Sequence, residues 1–263
     1  MIKLAVCGDS WFTCDTAYPA QSFSELISSK NNWELLSLAR AGCSNFTICL
    51  QVNHAIQVNA DVVIVGVTTP DRIEVPIVPT DADSPWSRMR KLFTWENWFH
   101  NAPRAFDKTR GLANIKYTDK DLSGLHDFLV DPTVVSESMN NLVFSQDWGG
   151  LTKEQFDSLK LYMLYLYDNG VKQQMDIWMI NAACDRLIRA GIPFLLCVEA
   201  FGDDVKDFDW LPQDNIMYPH DLQFGALPRD DEARFHYCAN QGAPIFADYV
   251  ESRINQLLNK GNI

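Results

Sequence analysis

The chain begins Met1-Ile2-Lys3-Leu4-Ala5-Val6-Cys7-Gly8-Asp9-Ser10, and the reading of this stretch decides the fold class. Ile2, Leu4, Ala5, Val6 and Cys7 make a near-continuous apolar run broken only by Lys3. Such a run suits a strand buried on both faces of a parallel sheet, because a strand with one wet face would alternate apolar and polar residues. Gly8 ends the run and permits a tight turn, and Asp9 is placed to hydrogen-bond neighbouring amides and hold that turn. The serine that follows then stands at the carboxyl edge of the sheet, where open α/β folds build their sites. A lone Gly-Asp-Ser triplet also suits an ordinary strand exit, so its meaning depends on the rest of the chain.

Working outward, Phe23, Leu26 and Ile27 share one helical face, and residues 33–39 read as a second strand that stops before Arg40-Ala41-Gly42. Strand, helix, strand at this spacing implies a parallel pair joined by a right-handed crossover. Gly42-Cys43-Ser44-Asn45 opens a helix running toward Asn59, with Ser44 or Asn45 as its amino-terminal cap. Asp61 to Thr69 follows as a third strand, buried by its valine run, and Pro193 to Val198 as a fourth. Between these last two, a helical pattern from Thr152 resumes after Asn169-Gly170 through Met175, Ile177, Trp178, Ile180, Ala183, Leu187 and Ile188. Phe201 to Pro219 is an acidic, proline-containing loop, and a last helix, about 242–258, carries Ile245, Phe246, Tyr249, Val250, Ile254 and Leu257 on one side.

The alternation stops between about residues 72 and 150, a region dense in proline and tryptophan. A loop that long inside a compact domain usually has a job or folds as a subdomain, and its aromatics argue for a packed insertion. The expected architecture is one α/β domain over residues 1–263, a three-layer α/β/α sandwich around a parallel sheet of about five strands, with a large insertion at 72–150.

Composition narrows the partners. Hydrophobic residues are 47% and charged residues 21% of the 263, values of a globular protein. The net charge of −12 repels nucleic-acid phosphates and anionic membranes, and neutral or sugar-like substrates fit better. Seven cysteines, an odd number without paired CxxC spacing, point to a reduced, cytoplasmic environment. The expectation is no metal, no cofactor, no nucleic-acid partner and no membrane association.

A serine hydroxyl is a weak nucleophile until a base removes its proton, and acyl transfer needs donors aimed at the developing oxyanion. Ser10 is the candidate nucleophile. Of five histidines, His54 lies in a helix pattern and His100 and His126 in the insertion, whereas His236 sits just before the last helix, where a doubly wound sheet can deliver it to Ser10. A capping role for His236 at the start of that helix is the structural alternative.

In this order the segments resemble the SGNH hydrolases, also called the GDSL esterase and lipase superfamily, whose fold is flavodoxin-like. Gly8-Asp9-Ser10 resembles the family's first block. Gly42 resembles the second-block glycine whose amide binds the oxyanion, and His236 through Gly242 resembles the fifth block. The resemblance implies a serine esterase or deacylase acting on a short acyl ester, such as acetyl, of a carbohydrate or small polar substrate. Ser10 would be the nucleophile and His236 the base, with the oxyanion held by Ser10 and Gly42.

Two positions depart from the family pattern. Where a Gly-x-Asn-Asp block is usual, the chain has Gly66-Val67-Thr68-Thr69, so Thr68 takes the place of the asparagine donor, with Asn45 and Arg72 as alternatives and substrate contacts. Position 233, where the family has the aspartate that orients the histidine, is alanine; Asp231, ahead of Asp230, is the candidate to replace it. These departures favour, as the alternative, a non-catalytic binding protein of the same fold for a glycan or protein partner; an acyltransferase using the same residues but excluding water is a third function.

Overall fold

The structure, a computed structural model, describes residues 1–9, 11–13, 20–39, 44–69, 161–162, 165–198, 208–218 and 241–260, and the backbone of 73–76 and 129–134. In chain order the elements are β1 (Lys3–Cys7), α1 (Phe23–Asn31), β2 (Glu34–Ser37), α2 (Asn45–Gln57), β3 (Val62–Gly66), β4 (Ile73–Pro76), β5 (Leu129–Val134), α3 (Asn169–Arg189), β6 (Phe194–Cys197), a short 3-10 turn (Gln213–Asn215), β7 (Ile216–Met217) and α4 (Gly242–Lys260). The chain divides into two compact units, Met1–Pro70 with Gln174–Ile263, and Asp71–Gln173. The expected insertion at 72–150 falls inside the second.

The first unit is α/β. Its sheet has the order β2-β1-β3-β6-β7, and every pairing is parallel. After β1 the chain moves outward to β2 and then crosses back to β3, so the winding direction reverses between β1 and β3. In open parallel sheets that reversal opens a crevice at the carboxyl ends of the two strands.

The valine-rich composition of the central strands follows from their position. Leu4 to Cys7, all of β3 and all of β6 are buried, as strands covered on both faces must be. Leu4, Val6, Val62, Ile64, Leu195 and Cys197 form one core with Phe23 and Ile27 of α1 and Phe246, Val250 and Ile254 of α4. The alternate residues Ala5, Cys7, Val63, Val65, Phe194 and Leu196 point to the opposite face and are equally buried.

Helix α1 starts at a capping box, with the Ser22 hydroxyl accepting from the Glu25 amide and the Glu25 carboxylate accepting from the Ser22 amide. It ends at Asn32 in the left-handed conformation, φ 53°. Its last turn is tied to α4: Lys30 Nζ lies 2.6 Å from Glu251 Oε2 and 3.3 Å from Asp248 Oδ1, and Asn31 Nδ2 donates to Glu251 Oε1 at 2.8 Å. Further along α4, Arg253 donates to the carbonyls of Ile216 at 2.7 Å and of Gln213 and Asp214 at 3.3 Å.

Phe12 links the first strand exit to this core. Its amide donates to the Asp9 carbonyl at 3.0 Å, and its ring meets Phe23 and Phe246 edge to face. The ring lies directly over Gly66 at the end of β3, where a Cβ would stand inside its van der Waals envelope. The glycine at the end of the third strand is therefore explained by packing.

Three features differ from the sequence expectation. The fifth strand, β7, lies in the stretch expected as an acidic loop, and at two residues it is too short to leave a pattern. The second unit holds an antiparallel pair, Ile73 opposite Val134 and Val75 opposite Val130, in a region where no strand was expected. Trp178, Met175 and Ile188 are exposed, while Ile177, Ile180, Ala183 and Leu187 carry the buried face of α3; Ile245 of α4 is likewise exposed.

Two outcomes follow. Gly66→Ala forces Phe12 to move and lowers stability by about 1–3 kcal/mol, the usual cost of overpacking, with Gly66→Ala/Phe12→Leu recovering part of it in urea unfolding. Burial alone would raise the Glu251 carboxyl, but hydrogen bonds from Lys30 and Asn31 and the Lys30 charge outweigh it and hold it below its ordinary value. A lowered folded-state pKa contributes stability above the unfolded value of about 4.3, which is lost as pH falls through the folded value. Thermal unfolding from pH 6 to 3 is therefore less pH-dependent in Glu251→Gln than in the wild type.

Candidate functional site

The chain leaves β1 and β3 in opposite directions at the winding reversal, so backbone groups just beyond the two strands need partners from elsewhere. Helix α2 supplies those partners with two carboxamides. Gln51 Oε1 accepts from the Gly8 amide at 2.7 Å, and its Nε2 donates to the Gly8 carbonyl at 3.4 Å. Asn45 does the same at the other strand: Oδ1 accepts from the Thr68 amide and Nδ2 donates to the Thr68 carbonyl, both at 2.9 Å. Each side chain satisfies the N–H and C=O of one residue, as a neighbouring strand would.

Asn45 can take this role because it does not cap its helix. The cap is Ser44, whose hydroxyl accepts from the Phe46 amide at 3.2 Å. Asn45, the first helical residue, is left to reach the sheet.

The two exits are joined across the crevice by Thr68 Oγ1 donating to Asp9 Oδ2 at 2.7 Å. Asp9 Oδ1 accepts from the Trp11 amide at 3.0 Å, so the carboxylate ties Asp9 to Trp11 as it spans to Thr68 beyond β3. On the far side, Asn45 Nδ2 donates its second hydrogen to Asp176 Oδ2 of α3 at 3.0 Å. Asp9, Thr68, Asn45 and Asp176 are each no more than 2% exposed. Hydrogen bonds to a carboxylate in such surroundings are shorter and stronger than neutral ones, and burial makes their loss costly.

Of the residues singled out from sequence, Thr68 and Asn45 are brought together here with Asp9. The Thr68 hydroxyl has one hydrogen and gives it to Asp9; Asn45 has two amide hydrogens and gives them to Thr68 and Asp176. In this arrangement both are clamps, and neither has a hydrogen left for an oxyanion. Ser10, Gly42, Arg72, Asp230, Asp231 and His236 lie outside the described residues.

Sequence reasoning missed Asp176 and Gln51. Asp176 shares the face of Ile177, Ile180, Ala183 and Leu187, and a single carboxylate among buried apolar positions is the signal that would have found it. Gln51 had no comparable signal, because its partner is a backbone peptide on another element. Cys184, also on α3, does not compete as a nucleophile: burial pushes its thiol up to about 12, and the thiol form is unreactive.

No protein-family model matches the chain, and no curated protein matches it.

The clamp sets an order of stability effects. Asn45→Ala strips both Thr68 backbone groups of their partner and costs about 2–6 kcal/mol, at 1–3 kcal/mol for each buried group left unsatisfied. Thr68→Val costs about 1–3 kcal/mol by leaving Asp9 short of a donor, and Thr68→Ser, which keeps it, stays near the wild type in urea unfolding.

Proposed function

We propose that the chain is a serine esterase or deacylase of the SGNH hydrolase type, folded as a three-layer α/β/α sandwich and cleaving a short acyl ester, such as acetyl, from a carbohydrate or small polar substrate. The observation that carries this reading is the buried Thr68–Asp9 hydrogen bond across the reversal between β1 and β3, adjoining Ser10 in the chain. It rigidifies the strand exit on which a nucleophile at position 10 would depend.

In this reading the Ser10 hydroxyl attacks the acyl carbon while His236 takes its proton. The tetrahedral intermediate is held by the amides of Ser10 and Gly42, and its collapse releases the alcohol, protonated by His236. Water then attacks the acyl-enzyme with His236 again as base, freeing the acid and Ser10. Asp231 orients His236, Arg72 contacts the substrate, and Thr68 and Asn45 serve by holding the exits rigid. The chemistry is complete without a metal or organic cofactor. No helix among the described residues is long and apolar enough to cross a membrane; the buried thiols of Cys7, Cys184 and Cys197 suit a reducing, cytoplasmic setting.

A second reading draws on the same geometry. With the Thr68 and Asn45 hydrogens committed, neither side chain serves an oxyanion, which favours a binding protein of this fold for a glycan or protein partner. Hydrolysis of p-nitrophenyl acetate separates the two. The wild type turns over and Ser10→Ala falls by about a thousandfold or more, as loss of a catalytic nucleophile does. Equal rates in the two proteins would remove the esterase reading.

A further inference from the structure

We propose that Asp176 is a positioning residue of the candidate site, acting through Asn45 to fix the Thr68 peptide and, through the Thr68 hydroxyl, Asp9 beside Ser10. The inference rests on the esterase reading for its effect on rate, and on the hydrogen bonds alone for its effect on Thr68.

The links run without a gap from α3 to the first strand exit. Asp176 Oδ2 accepts from Asn45 Nδ2 at 3.0 Å, Asn45 grips both backbone groups of Thr68 at 2.9 Å, Thr68 Oγ1 donates to Asp9 Oδ2 at 2.7 Å, and Asp9 Oδ1 accepts from Trp11 N at 3.0 Å. Asp176 is 131 residues from Asn45 in the chain, so the contact belongs to the tertiary fold and not to any local turn.

Its chemistry is unusual for its place. The surrounding face of α3, Ile177, Ile180, Ala183 and Leu187, is apolar and buried, and an apolar residue at 176 would seal it without desolvating a carboxylate. A carboxylate accepts hydrogen bonds and cannot donate them. It therefore draws Asn45 Nδ2 toward α3 and leaves Oδ1 facing the Thr68 N–H, the one amide orientation that fits both Thr68 groups. Removing it leaves the Asn45 side chain held by the Thr68 peptide alone, and the run from Thr68 to Asp9 loses its anchor on α3. Reaction rates are sensitive to such shifts, since a displacement of about an ångström at the reacting groups costs up to about a hundredfold.

The test uses the full chain as wild type, Asp176→Ala and Asp176→Asn, assayed on p-nitrophenyl acetate per folded molecule. In Asp176→Ala kcat falls about ten- to a hundredfold with KM within about twofold, and in Asp176→Asn, whose amide oxygen still accepts from Asn45, most of kcat returns. An unchanged kcat in folded Asp176→Ala, or an Asn variant as slow as the Ala variant, overturns the proposal. If Asp176→Ala does not accumulate as folded protein, Asp176→Leu, which fills the volume without accepting, takes its place. If the wild type does not hydrolyse the ester, the esterase reading fails and hydrogen exchange judges the positioning. The Thr68 amide then exchanges at least tenfold faster in Asp176→Ala than in the wild type or Asp176→Asn, while Val63 and Ile64 stay protected. Equal protection of Thr68 in all three overturns it.

Discussion

A carboxylate buried two residues beyond the end of a core strand must be solvated by protein, and much of the geometry at this sheet edge follows from that requirement at Asp9. Two of its bonds come from opposite sides of the crevice, the Trp11 amide and the Thr68 hydroxyl. One binds the turn to itself and the other binds it to the third strand. Asp9 thus converts two loops that the sheet would leave independent into one rigid ledge.

The ledge needs support from behind because the chain leaves β1 and β3 in opposite directions where the winding reverses. Beyond that point the sheet no longer offers hydrogen bonds, yet the peptides at Gly8 and Thr68 are still in the interior. Helix α2 meets both needs through Asn45 and Gln51, so it helps shape the crevice besides connecting β2 to β3. On the opposite face the Phe12 ring, seated over Gly66 between Phe23 and Phe246, holds the same turn by packing. The exit of the first strand is gripped from one side by polar bonds and from the other by aromatic contact.

Much of this was legible in the amino-acid order because burial on two faces leaves a dense apolar signature: the runs at residues 2–7, 61–69 and 193–198 each became a central strand. The edge strand β7 was not legible, since two residues carry no periodicity and its support comes from α4. Exposed Trp178 and Met175 misled the face of α3 because side-chain size speaks of burial less reliably than spacing does. At the candidate site, Asp9 and Thr68 stood out as polar residues ending apolar runs. Their direct bond did not, because no spacing rule joins positions 59 apart. Asn45 was read as a donor for a ligand, whereas its amide is turned inward to the fold's own backbone.

Arg253 has a consequence for how these molecules behave in a crowd. A sheet that ends in a bare strand invites another chain to add to it, which is a route to aggregation. Here the last strand is two residues long, and the guanidinium of Arg253 occupies the Ile216 carbonyl and the carbonyls of Gln213 and Asp214 in the turn that leads into it. A stranger's peptide arriving at this margin finds its acceptors already taken by a cation. It would have to displace that cation before forming a single rung.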